Sequence, residues 1–159
     1  MVARSLAHRD RLPGPRAPLD GATKAHLRLL DEGSAREVIF SPDGQRIFIA
    51  MENDPPVVCN RDGSAARSFE LAPGIHPESD RGEGMISLSP DGAWLVGRCN
   101  TVQVCVWHTK SGKARQWLQP TAKGEPSELA SVAFVDGGRR IVVKTESGST
   151  YRIETASLR

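Results

Sequence analysis

The sequence predicts an all-β chain of about three four-stranded antiparallel sheets, through a repeated turn, a near-constant period and a surplus of turn formers. Ser-Pro-Asp-Gly stands at residues 41–44 and again at residues 89–92. Pro presets φ, Asp hydrogen-bonds its own backbone and Gly accepts positive φ, so each copy reverses the chain. Val38-Ile39-Phe40 and Ile47-Phe48-Ile49 flank the first copy, and Ile86-Ser87-Leu88 and Trp94-Leu95-Val96 flank the second. Each copy therefore reads as a hairpin. A degenerate third copy runs Val132-Ala133-Phe134-Val135-Asp136-Gly137-Gly138 and leads into Ile141-Val142-Val143. Gly44, Gly92 and Gly138 stand 48 and 46 residues apart.

That period lies just above the roughly 40 to 45 residues of one four-stranded propeller blade. The predicted fold is a partial β-propeller over residues 19–159, with blades at about 37–70, 85–118 and 131–155. In the second blade the strands read as Ile86 to Leu88, Trp94 to Gly97, Val102 to Trp107 and Arg115 to Leu118, with Val102, Val104 and Val106 on one face. The first blade continues with Val57-Val58-Cys59, the turn Asp62-Gly63 and Arg67-Ser68-Phe69. The third has Tyr151-Arg152-Ile153 as its third strand and no fourth. An orphan fourth strand is expected at residues 25–30, because Leu19-Asp20-Gly21 before it resembles the turns Asp62-Gly63 and Ser111-Gly112. A short helix over residues 22–30 competes with it, since Ala, Lys, His and Leu favour one.

Composition sets the class. Apolar residues are 38% and charged residues 25% of the chain, an ordinary soluble balance, while 15 Gly and 11 Pro ask for many turns. A net charge of +2, spread along the chain, does not argue for nucleic acid. No run approaches the roughly 20 apolar residues of a membrane span. Residues 1–18 read as a flexible basic arm, and with no apolar segment they do not resemble a secretory signal. Cys59, Cys99 and Cys105 are an odd number without CxxC spacing, so free thiols, a reducing compartment and a cytoplasmic location are expected.

The pattern apolar-x-Phe-Ser-Pro-Asp-Gly, a strand ending Val106-Trp107 and the turn Lys110-Ser111-Gly112-Lys113 resemble the WD-repeat β-propeller family. The Trp-Asp dipeptide of that family stands here as Val58-Cys59, Trp107-His108 and Ile153-Glu154, and its Gly-His dipeptide is absent from all three copies. The family's buried hydrogen-bonding tetrad is therefore not carried over. The resemblance implies a non-enzymatic protein-interaction or scaffold module. A regulatory or sensor propeller within a larger multidomain protein, or the propeller portion of a hydrolase, is the alternative.

The residues agree with a non-enzymatic reading, for there is no GxSxG, HExxH or P-loop, and Gly82-Glu83-Gly84 leads into a strand where a dinucleotide site needs a helix. His108 reads as structural, and Asp43 and Asp91 as turn formers. Nothing asks for a cofactor, a metal or a catalytic residue. The connection from Glu70 to Glu83 is acidic and shares a rim with the turns Glu52-Asn53-Asp54 and Glu146-Ser147-Gly148. Glu52, Asp54, His76, Glu78, Asp80 and Arg81 are accordingly the candidate partner-binding residues, suited to a basic protein segment. Three blades do not close a ring. The count predicts either a homodimer completing a six-bladed ring, with the N-terminal strand sealing the third blade of another copy, or a fragment of a longer propeller.

Overall fold

A computed structural model describes residues 35–52, 54–75, 85–122 and 124–158. The arm at residues 1–18, the orphan strand at 25–30 and the candidates His76, Glu78, Asp80 and Arg81 lie outside the described residues. The first blade is the sheet β1 (Ala35–Phe40), β2 (Arg46–Met51), β3 (Val57–Asn60) and β4 (Arg67–Ser68), in that order. The second is β5 (Ile86–Leu88), β6 (Trp94–Asn100), β7 (Gln103–His108) and β8 (Ala114–Leu118). A small hairpin, β9 (Thr121–Ala122) with β10 (Glu125–Pro126), leads to a three-stranded third blade of β11 (Leu129–Val135), β12 (Arg140–Thr145) and β13 (Thr150–Glu154). Every pairing is antiparallel.

The two Ser-Pro-Asp-Gly turns are the same hydrogen-bonded object. Arg46 N donates to Ser41 Oγ (2.9 Å), Gln45 N to Asp43 Oδ1 (3.0 Å) and Gly44 N to Ser41 O (2.8 Å). Trp94 N, Ala93 N and Gly92 N repeat these bonds to Ser89 and Asp91 at 2.9, 3.0 and 2.8 Å. The Ser41 hydroxyl, the Gln45 amide and the Arg46 charge hold the Asp43 carboxyl below the usual carboxylate range. Asp43 and Asp91 are turn formers, as their position demands.

Packing between blades explains why the turn recurs. A Cβ on Gly92 would lie 3.3 Å from Pro42 Cδ, and one on Gly138 only 2.6 Å from Pro90 Cδ. The proline of each turn thus sits on the glycine of the next blade, where only a missing side chain leaves room. All three glycines also have positive φ, at 69°, 69° and 87°.

Two cores lie between the blades. The first joins Phe48, Ala50 and Val58 of blade one to Ile86, Leu95, Cys105 and Trp107 of blade two, closed on the outside by Phe69, Ala72 and Ile75. The second joins Val96, Val104 and Val106 to Leu129, Val132, Ile141 and Val143. Strand alternation puts one face of each blade toward the blade before it and the other toward the blade after it.

Two expectations are corrected. Cys99 and Cys105 form a disulfide (Cα–Cα 5.6 Å), leaving only Cys59 free. The pairing shifts register between Arg98 and Asn100, so Cys99 is the extra residue of a bulge. Gly97 pairs with Cys105, and Cys99, two residues along β6, shares its face and stands diagonal to Cys105. The cysteine argument for a reducing compartment falls with it. Second, Trp107 pairs with Leu95, Ile153 with Ile141 and Cys59 with Ile47, so Cys59-Asn60, not Val58-Cys59, stands where the Trp-Asp dipeptide would be. The face of blade three that points away from blade two carries Ala133, Val135 and Val142 among the exposed Arg140, Lys144, Thr150, Arg152 and Glu154. The strand at residues 25–30 that would seal a six-bladed ring of two copies lies outside the described residues.

Candidate functional site

The inner strands β1, β5 and β11 all start at one rim, together with the turns at 52–56, 101–102 and 146–149 and the connections between blades. Between the strand starts lies a cleft of about 540 Å³ lined by Arg36, Glu37, Met85, Ile86, Ala130, Ser131 and Val132. Its walls are fixed by hydrogen bonds between blades. Glu37 Oε2 accepts from Ile86 N (2.9 Å), and Leu129 N donates to Thr101 O (3.1 Å). Within blade three, Glu146 N donates to Glu128 O (2.9 Å), and the Ser127, Ser147 and Thr145 hydroxyls form a chain with spacings of 3.0 and 2.9 Å. Ser127 and Thr145 are buried, so the chain satisfies polar atoms that would otherwise be costly.

Of the candidates named from sequence, Glu52 and Asp54 fall on this rim. Glu52 is mostly buried and ion-paired with Arg36, which draws the turn over the inner strand. Asp54 is exposed. The rim also gathers Glu125, Glu128 and Glu146, all exposed. Glu125 and Glu128 were missed. They precede β11 in a connection whose place on the rim depends on the β9–β10 hairpin, a two-residue pairing too short to leave a periodic signal.

The described rim carries Asp54, Glu125, Glu128 and Glu146 beside the exposed Arg36 that lines the cleft, so carboxylates outnumber the cation there. Among the described residues, no group of three His, Cys, Asp or Glu side chains is placed to hold a metal ion. His108 lies at the other end of the blade, edge-on to Trp94 (5.2 Å between ring centroids), where its Nδ1 accepts from Ser111 N (3.4 Å). It is a structural residue of the β7–β8 turn.

The fold and this rim define an open run of β-propeller blades. No family profile matches the chain, and no curated protein matches it by sequence. Among solved structures it is similar to the β-propeller domain of Cps50 (Swd1) from Myceliophteria thermophila, with a TM-score of 0.61 at 13% identity over 77% of this chain and 36% of that one. The WD40 repeats of RRP9 and the structure of U3-55K each match with a TM-score of 0.59 at 16% identity, over 79% of this chain and 37% of theirs. The chain has the fold of WD-repeat propellers and spans just over a third of the length of these structures.

Proposed function

We propose that the protein is a non-enzymatic interaction module that presents its acidic rim to a basic segment of a protein partner. The observation that carries this reading is that Asp54, Glu125, Glu128 and Glu146, all exposed, stand in the turns and connections of the rim that bears the cleft. A rigid rim with an excess of one charge steers an oppositely charged partner and fixes its register. The similarity to WD40 domains supports a binding role in general terms. The short span relative to those domains favours a second reading, in which the three blades act within a larger propeller assembly.

The test is fluorescence anisotropy with a labelled Lys/Arg-rich peptide and a matched Glu/Asp-rich peptide. The basic peptide should bind, and raised salt should weaken it. Glu128→Lys with Glu146→Lys should weaken it several-fold without changing the melting temperature. Equal binding of both peptides, or no response to the double reversal, would sink the reading.

A further inference from the structure

The inner strands β5 and β11 pair within their own blades on one side only, and their other side meets the preceding blade. Along such a strand the ladder bonds alternate from residue to residue. Ile86 N donates to Glu37 Oε2 of blade one (2.9 Å) and Phe134 N to Ser87 Oγ of blade two (3.1 Å), so both residues turn their amides away from the ladder. Val132 stands two residues before Phe134 on β11, with no shift of register between them. It therefore turns its own N–H and C=O away from β12 as well.

The repeat shows what that position lacks. Val132 is the equivalent of Ile86, 46 residues on, and Met85 the equivalent of Glu37, 48 residues on. Between blades one and two a carboxylate oxygen caps the inner-strand amide. Between blades two and three a thioether, a weak acceptor, stands in its place. Among the described residues neither Val132 N nor Val132 O has a hydrogen-bond partner, although the residue is only 8% exposed. A buried donor and acceptor left unpaired cost free energy that a ligand can recover. Met85 and Val132 both line the cleft, whose 540 Å³ lies within the roughly 300 to 1,000 Å³ of ligand pockets.

We propose that the cleft seats a short extended peptide segment, one of whose backbone carbonyls accepts from Val132 N while a backbone N–H donates to Val132 O. A strand edge that offers a donor and an acceptor on one residue is what an added strand pairs with. Ser131 brings a hydroxyl to the same edge, and Met85, Ile86 and Ala130 give an apolar wall for an alternate side chain of the segment. A lone anion fits less well, because the Arg36 guanidinium is already paired with Glu52 and the Glu37 carboxylate lines the same space. The inference rests on the reading of the rim only for the basic charge of the segment, whereas the seat itself follows from Val132 and Met85.

The test uses the full chain and the peptide acetyl-Lys-Val-Lys-Val-Lys-amide. The peptide should slow hydrogen exchange at the Val132 amide about tenfold and leave Ile86, already bonded to Glu37, as it was. An uncharged acetyl-Val-Ala-Val-amide at higher concentration should slow the same amide, so the seat can be tested even if the rim attracts no basic segment. The basic peptide with every backbone nitrogen methylated keeps its charge but should bind about tenfold more weakly. Met85→Glu should set a carboxylate on Val132 N as Glu37 sits on Ile86 N, and so weaken the basic peptide about tenfold, whereas attraction by rim charge alone would tighten it. Met85→Gln makes the same test without the added charge, should the first variant fold poorly. Exchange at Val132 unmoved by either peptide, equal binding of the methylated form, or tighter binding to Met85→Glu would overturn the proposal. The last two outcomes leave the reading of the rim standing. Loss of charge-dependent binding, with the uncharged peptide still seated at Val132, would overturn that reading and support this one.

Discussion

The interface between blades one and two is aromatic and cross-bonded, whereas that between blades two and three is aliphatic. Trp107 is wholly buried in the first, edge-on to Phe69 (5.9 Å between ring centroids), and its indole N donates to Glu70 O at 2.7 Å. Ile153 holds the equivalent place in the second and stays half-buried. A fourth strand makes the difference. In blade one β4 and the residues after it bring Phe69, Ala72 and Ile75 over the outer part of the core, and Arg67 Nη2 donates to Thr109 O (2.6 Å) and Lys110 O (3.0 Å) of blade two. Among the described residues blade three has three strands, and its outer strand is an edge. Trp107 thus has β8 on its outer side whereas Ile153 lies on the edge strand, and Leu118 of β8 covers the second core where the larger Phe69 covers the first.

The largest expected effect tests this contrast directly. Truncating a buried Trp costs about 3 to 5 kcal/mol, a large part of the stability of a small domain. Trp107→Ala should therefore leave little folded protein in a urea titration at room temperature. Ile153→Ala, at the equivalent but half-buried position, should cost less than about 2 kcal/mol. Equal losses would show that the third blade's core is as deep as the first's, and the contrast would fail.

The glycines of the turns come next. A left-handed backbone costs a non-glycine residue roughly 1 to 2 kcal/mol, and Gly44→Ala should show that cost alone because its surroundings are open. Gly138→Ala carries the same backbone cost and also drives its methyl group into Pro90, at 2.6 Å, so a further loss of about 1 to 3 kcal/mol is expected. Melting temperatures of the pair measure what the proline-on-glycine contact demands. If the two variants melt together, that contact does not constrain the blade spacing.

The repeated turn and the alternating strands around it were legible because their signals are local. Ser41-Pro42-Asp43-Gly44 and its second copy carry their own hydrogen bonds, and the two periodicities around them, 48 residues between blades and 2 within strands, need no tertiary information. What stayed hidden depends on register. The bulge at Cys99 and the one-residue offset of Cys59 both follow from pairings set across the sheet, which the sequence of one strand does not contain. The acidic rim was read in part, from Glu52, Asp54 and Glu146. Glu125 and Glu128 join it only because β9 and β10 fold the connection back.

The disulfide offers a middle-sized effect. It ties β6 to β7 within the first interface and closes a loop with a sequence separation of 6. Closing so short a loop is worth about 2 kcal/mol in the chain-entropy account. Unfolded, unreduced protein should titrate one thiol with Ellman's reagent, and reduced protein three. Cys99→Ala with Cys105→Ala should lower stability by about that amount, and the loss should match that of reducing the wild type. Three thiols in unreduced protein would remove the bond from the first interface and with it part of the contrast.

The smallest effect belongs to Cys59, on the backward face of blade one. Burial raises its thiol above the ordinary value of 9.0, and the charge of Asp62 adds to the rise. The folded state therefore prefers the neutral thiol more than the unfolded chain does. Its contribution to stability is fully present below pH 9 and is lost as pH climbs from the ordinary thiol value through the folded one. Urea midpoints between pH 8 and pH 10.5 should fall more steeply for the wild type than for Cys59→Ala, which has no thiol to ionise. Asp62→Asn should give an intermediate slope, since it removes the smaller of the two causes. A Cys59→Ala protein with the wild-type slope would place the alkaline loss elsewhere, and the outer half of that face would then be open to water, contrary to the 2% exposure of Cys59.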